Sequence, residues 1–193
     1  MMKPIVFVTG NEGKMAELVE KTKELDIKFI QRNLGYPEIQ AETLEDVARY
    51  GVEYVKTHLS SPFILEDAGI FIDALQGFPG VYSKYVFYTI GLTGILKLLA
   101  HIPTEERTAT FRSVYAYGEP ALETQLFTGE CSGTIITESR GKNGFGYDPI
   151  FMPYGSTKTF AEMNSQEKNR FSHRGKAITQ LIHYLKKRKK EES

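Results

Sequence analysis

The sequence of 193 residues has no tryptophan and a single cysteine, Cys131. One thiol cannot close an intramolecular disulfide, which excludes a disulfide scaffold and suits a reducing cytoplasm. No apolar run approaches the roughly 18 residues of a membrane span, and no h-region of a signal peptide is present. Charge of one sign is lacking too: 24 Lys plus Arg balance 24 Asp plus Glu, so no overall field draws the chain to nucleic acid or membrane. His58, His101 and His183 stand at no metal-ligand spacing, so with Cys131 they read as structural. Internal repeats and linker-like stretches are absent. What remains is a soluble cytoplasmic protein with an ordinary globular balance, 41% hydrophobic and 25% charged. Its length fits a single domain, 1–193, or two closely joined lobes.

Short apolar runs alternate with helical stripes. Residues 4–8 read as a buried strand, because the run ends at glycine too soon for a helix. Met15, Leu18, Val19, Thr22 and Leu25 then recur at helical spacing, and residues 27–30 make a second short strand. Leu44, Val47, Ala48, Gly51, Val52, Val55 and Leu59 form another stripe, opened by Thr43 with Asp46 in a capping-box spacing. Residues 62–65 are a third strand, which this reading ends at Glu66-Asp67. Residues 82–100 are mostly helical, interrupted near Gly91 and Gly94. Residues 109–117 and 122–136 form a long hairpin around Gly118-Glu119-Pro120. The last helix presents Ala177, Ile178, Leu181, Ile182 and Leu185 on one face. The predicted fold is α/β with a mixed sheet and flanking helices. The basic run at 186–190 opens a C-terminal tail, 186–193; cations are favoured at a helix C-terminus, so it needs no nucleic-acid partner.

Four segments could carry chemistry. Thr9-Gly10-Asn11-Glu12-Gly13-Lys14 stands between a strand and a helix, where glycines, hydroxyl and lysine suit a phosphate. It is not a P-loop: only two residues separate its glycines, and Met15 follows the lysine. The alternative is a plain turn with Asn11 capping the helix, and Glu12 opposes a bound anion unless its carboxylate faces solvent. Glu66-Asp67 and Glu38 are carboxylates of the kind that hold Mg²⁺, whereas Glu42 and Asp46 read as capping or solvated acids. Gly144-Phe145-Gly146-Tyr147-Asp148 offers either an aromatic platform for a nucleobase or a loop with Phe145 tucked into the core. Lys168, His173 and Arg174 cluster around a helix start, as base-reading groups or as a surface turn.

Together and in order, Thr-Gly-Asn-x-x-Lys, Pro-Glu-Ile-Gln, Glu-Asp-x-Gly, Gly-Phe-Pro-Gly-x-Tyr-Ser, Phe-Gly-Tyr-Asp-Pro, Phe-Ala-Glu-Met and Ser-His-Arg resemble the inosine triphosphate pyrophosphatase family, archaeal members above all. The resemblance runs from Thr9 to about Ala177. It implies hydrolysis of ITP, dITP and XTP to the monophosphate and pyrophosphate with Mg²⁺, two lobes around a central substrate cleft, and a homodimer. Residues 9–14 would cradle the triphosphate. Glu38 and Asp67 would hold the metal, Asp67 serving also as general base. Phe145, Gly146, Tyr147 and Asp148 would surround base and sugar, and Lys168, His173 and Arg174 would recognise the base. One departure is Ala68, where the family carries Ser or Thr; only its backbone N–H can contact substrate. The rival readings are a nucleotide-binding module without hydrolysis and a related enzyme acting on modified pyrimidines.

Overall fold

A computed structural model describes residues 4–25, 27–37 and 39–191. Its first elements are β1 (Ile5–Val8), α1 (Glu12–Thr22), β2 (Phe29–Arg32), α2 (Leu44–Lys56) and β3 (Phe63–Ile72). There follow β4 (Pro79–Gly80), α3 (Ser83–Thr89), α4 (Gly91–Leu98), β5 (Thr108–Gly118) and β6 (Gln125–Ile135). The chain ends with β7 (Phe151–Pro153), α5 (Ser165–Phe171) and α6 (His173–Glu191). The strands form one seven-stranded mixed sheet in the order β2-β1-β3-β5-β6-β7, with β4 beside β3. Among the described residues no helix is long and apolar enough to cross a membrane.

The chain divides into two compact units. The first comprises Met1–Asp67, Ser113–Gly129 and Arg174–Ser193; the second comprises Ala68–Arg112 and Glu130–His173.

In the first unit β1 lies between β2 and β3 and is parallel to both. All four of its residues are buried, which is why it reads as an unbroken apolar run. Asn11 caps α1, its side chain accepting the Lys14 amide proton. Thr43 caps α2 in the same way, and its own hydroxyl donates to Asp46 Oδ2. Asp46 therefore takes the hydroxyl proton where the longer glutamate of a true capping box reaches back to the backbone. The stripe Ala177, Ile178, Leu181 and Leu185 of α6 is fully buried in one core with Ile5, Phe7, Leu18 and Ile64. Residues 186–191 are the last turns of α6, where Arg188 binds Glu119 at 2.9 Å.

In the second unit, pairs Thr110–Ser132 and Arg112–Glu130 set β5 against β6 in antiparallel register, as the hairpin spacing predicts. The interruption expected near Gly91 is the α3–α4 break, where Gly91 adopts φ +61°. Ile70, Ile95, Leu99, Phe111, Phe151 and Phe160 belong to this unit's core.

One expectation is corrected here. The third strand does not stop at Glu66-Asp67; β3 runs on to Ile72, so both acids lie inside a strand of ten residues. Only the parallel pairing ends early, at Leu65 opposite Val8, the last residue of β1. Beyond it β3 pairs antiparallel with β4, Ile70 opposite Gly80, where a side chain on Gly69 would come within 2.2 Å of the Gly80 carbonyl oxygen. Charged and small residues at 66–69 break the apolar run without breaking the strand.

Candidate active site

In the first unit the loop after β1 is organised by its own side chains. Thr9 Oγ1 accepts the Asn11 amide proton at 3.1 Å, and Asn11 Oδ1 accepts that of Lys14 at 3.1 Å. Among the described residues no acceptor takes the N–H groups of Glu12 and Gly13, the first two of α1, which leaves two donors at the positive end of a helix. Such an end binds anions. Glu12 is exposed, so its carboxylate does not oppose an anion there.

Lys14 does not project freely from this turn. Its Nζ donates to the Glu66 backbone carbonyl at 2.8 Å and forms an ion pair with Glu66 Oε2 at 2.6 Å. The Glu66 side chain is wholly buried. Its Oε1 accepts Ser113 Oγ at 2.6 Å and Arg174 Nε at 2.9 Å, and Arg174 Nη1 reaches Glu17 at 3.4 Å. Burial opposes ionisation of Glu66, but the charges of Arg174 and Lys14 and the hydrogen bonds from Lys14 and Ser113 prevail. They hold its carboxyl down at about 2. Burial, and next the Glu66 charge, push the neighbouring Tyr115 phenol well up. Asp67 is half-buried, and Tyr36 donates to both its oxygens at 3.1–3.2 Å.

The Glu66 shift has a sign. Its folded pKa lies below the unfolded value of about 4.3, so its stabilisation is present above that value and is lost as pH falls toward 2. Acid unfolding of the wild type should therefore steepen between about pH 4.5 and 2 relative to Glu66→Gln. Melting curves of the two proteins across that range read the difference, and parallel pH profiles would contradict it.

In the second unit the glycine-rich loop is tied to a buried acid. Asp148 Oδ2 accepts the Phe145 amide proton at 2.8 Å and the Lys168 ammonium at 2.8 Å. Gly144, at φ +73°, has no space for a side chain, because a Cβ would come within 2.1 Å of that same oxygen. Phe145 is only half-buried, so it is not the core plug its spacing allows. Lys168 lies 5.0 Å from the Phe145 ring centroid and 5.6 Å from that of Phe160. Tyr147 is buried, and its hydroxyl is placed on the Ser83 carbonyl at 2.8 Å. His173 is buried and stacks on Phe111 at 4.6 Å with 6° between the planes. Ala68 and Gly146 are half-buried.

The expected site residues thus fall into two sets. Thr9, Gly10, Asn11, Glu12, Gly13, Lys14, Asp67 and Arg174 belong to the first unit. Ala68, Phe145, Gly146, Tyr147, Asp148, Lys168 and His173 belong to the second. Glu38 lies outside the described residues. Sequence reasoning passed over Ser113 and Tyr36, and it read Glu66 beside Asp67 only as an acid of the metal-holding kind, not as the partner of Lys14, Ser113 and Arg174. Glu66 could have been singled out, since an acid next to a buried apolar run needs a cation partner. Ser113 and Tyr36 carry no such signal.

Residues 5–184 match the model of the Ham1 family. A protein of Thermococcus kodakarensis named dITP/XTP pyrophosphatase is 50% identical over 94% of this chain and 97% of its own. One of the same name from Methanopyrus kandleri is 48% identical over 94% and 96%. Among solved structures, a HAM1 protein from Coxiella burnetii covers 97% of this chain and 100% of its own at 34% identity, with a TM-score of 0.83.

Proposed function

The chain belongs to the Ham1 family, and from that premise we propose that it hydrolyses dITP, ITP and XTP to the monophosphate and pyrophosphate, clearing deaminated purine nucleotides from the cytoplasmic pool. The observation that carries the reading lies in the first unit: a lysine and two uncommitted helix-terminal amides in a turn after β1, with the Asp67 carboxylate on β3. The amides and Lys14 suit the phosphate oxygens, with Thr9 and Asn11 as further donors. Asp67 suits the work on water. It orients a water molecule and takes its proton as the oxygen bonds to the α-phosphorus and the bond to the bridging oxygen of the β-phosphate breaks. The electron pair leaves with pyrophosphate.

In the second unit Phe145 offers a π-face at a loop held by Asp148, the arrangement a purine can stack upon. Arg174 supplies the specificity argument. A guanidinium has only donors, which match the 6-oxo group of hypoxanthine and xanthine and mismatch the 6-amino group of adenine. Such a mismatch costs about 1–3 kcal/mol, enough to disfavour ATP.

A divalent metal fits this donor set, and Mg²⁺ is the ion proposed. It takes hard oxygen ligands, commonly one or two carboxylates plus substrate phosphates, and Asp67 is an accessible carboxylate; Glu38 is the second by resemblance. Bound there, the ion would neutralise charge on the leaving pyrophosphate. Partnership with a second copy belongs to the same reading, supported by Tyr82, Tyr85, Tyr88 and Ile90, large apolar residues exposed on and beside α3.

The test is a nucleotide panel with Mg²⁺, run on protein whose sedimentation mass reads one chain or two. Pyrophosphate and monophosphate should appear from dITP and XTP far faster than from ATP, GTP or dUTP. Orthophosphate as the sole product would overturn the reading. Binding without turnover would leave a nucleotide-binding module, the role that Ala68 makes thinkable. Preference for dUTP would leave the pyrimidine enzyme.

A further inference from the structure

We infer that Glu66 is a positioning residue for this reaction, a buried anion that sets Lys14 and Arg174 in place before the triphosphate arrives. The inference deepens the hydrolytic reading above and rests on it. Two contacts to one residue, the Glu66 carbonyl and its Oε2, define where the Lys14 ammonium sits. An ammonium has three N–H donors, so one remains to be aimed at substrate. The Lys14 side chain is one-fifth exposed, whereas that of Glu66 is fully enclosed. The lysine is thus held from behind while its head stays within reach of a ligand. Arg174 is fixed through Nε on the other carboxylate oxygen, and Ser113 fills that oxygen's remaining lone pair.

Charge accounting separates positioning from attraction. Lys14 and Arg174 carry two positive charges, and Glu66 and Glu17 carry two negative ones. Glu66 is itself an anion, so its carboxylate does not draw a triphosphate. What it supplies is direction: the entropy of ordering a long lysine stem is lost when the chain folds instead of when substrate binds. Stability alone gives little reason for the arrangement, since well-packed apolar residues commonly serve as well as a buried ion cluster.

Removing the charge should therefore separate binding from turnover. In Glu66→Gln one negative charge is lost, and Lys14 keeps the backbone carbonyl but loses the ion pair that completes its seat. We expect kcat for dITP to fall by about tenfold or more, with KM unchanged or lower. A residue that merely held the fold would reduce the active fraction and leave no signature on its partner, so the cycle with Lys14→Met decides. On the Lys14→Met background, Glu66→Gln should cost less than about a further twofold in kcat. Glu66→Gln turning over within about threefold of wild type, or losses that multiply independently in the double variant, would overturn the inference. Should Glu66→Gln show no cooperative melt, Ser113→Ala carries the test, since it deletes one donor and leaves the charge. Its kcat should drop by about threefold at unchanged KM and similar melting temperature, and full activity would overturn the inference. A wild type that releases no pyrophosphate sinks the functional reading itself, and this inference falls with it.

Discussion

Asp67→Asn should lower kcat for pyrophosphate release from dITP by about a thousandfold, roughly 4 kcal/mol of transition-state stabilisation. Asparagine keeps the size of the side chain and an oxygen that can accept from Tyr36, which lies 3.1–3.2 Å from the aspartate oxygens. What it loses is the ability to take a proton from water and the negative charge that a cation requires. Because the side chain is only half-buried, solvent reaches the site of the exchange from carboxylate to amide. The melting temperature should stay within a few degrees of wild type, so lost turnover cannot be ascribed to unfolding. Pyrophosphate release under saturating dITP, alongside a thermal melt, reads both. A variant within about tenfold of the wild-type rate would remove Asp67 from the chemistry.

What the sequence disclosed and what it hid divide along sequence separation. β1 and the α2 and α6 stripes are local patterns, legible because an apolar run or a helical repeat requires only neighbours. The observed elements Ile5–Val8, Leu44–Lys56 and His173–Glu191 carry these patterns, though Leu59 of the expected stripe lies past the end of α2 and residues 186–191, read as the start of a tail, continue α6. The second half of β3 was not legible. Glu66, Asp67, Ala68 and Gly69 look like a turn because their partners, Gly80 among them, lie elsewhere in the chain. Tertiary pairing overrides local propensity there. β4 and β7, of two and three residues, are too short to leave any periodic trace.

The candidate site shows the same division. The cap of Asn11 on α1 is local and was open to inference from spacing, whereas the exposure of Glu12 entered only as a condition for binding an anion. The partners of Lys14 and Arg174 were not, because Glu66 lies 52 residues from one and 108 from the other. A lysine in a glycine-bearing turn reads as a free cation awaiting a phosphate. In the fold its charge is already matched, and its value for a ligand becomes one of direction. Likewise the glycines around Phe145 read as flanking either a stacking platform or a core plug, but only the fold shows which acid they make room for. Asp148 sits against Gly144 and takes the next residue's amide proton.

That acid is the site of the largest expected stability effect. The side chain of Asp148 is 3% exposed and that of Lys168 is 7% exposed, with 2.8 Å between carboxylate and ammonium. Asp148→Ala removes the carboxylate that meets the Lys168 ammonium between Phe145 and Phe160, and with it the acceptor at 2.8 Å of the Phe145 amide. Removing one partner of a buried pair costs about 3–5 kcal/mol, a large share of the roughly 5–15 kcal/mol that holds a native protein together. Urea unfolding should place the variant's midpoint far below wild type. The cause can be checked by removing the stranded charge as well. Asp148→Ala combined with Lys168→Met should recover at least about 1 kcal/mol, since a thioether suits the two rings better than a buried ammonium that has lost the Asp148 carboxylate. Destabilisations that simply add would show that loop geometry, not the buried charge, sets the cost; a single variant losing under about 1 kcal/mol would show that neither does.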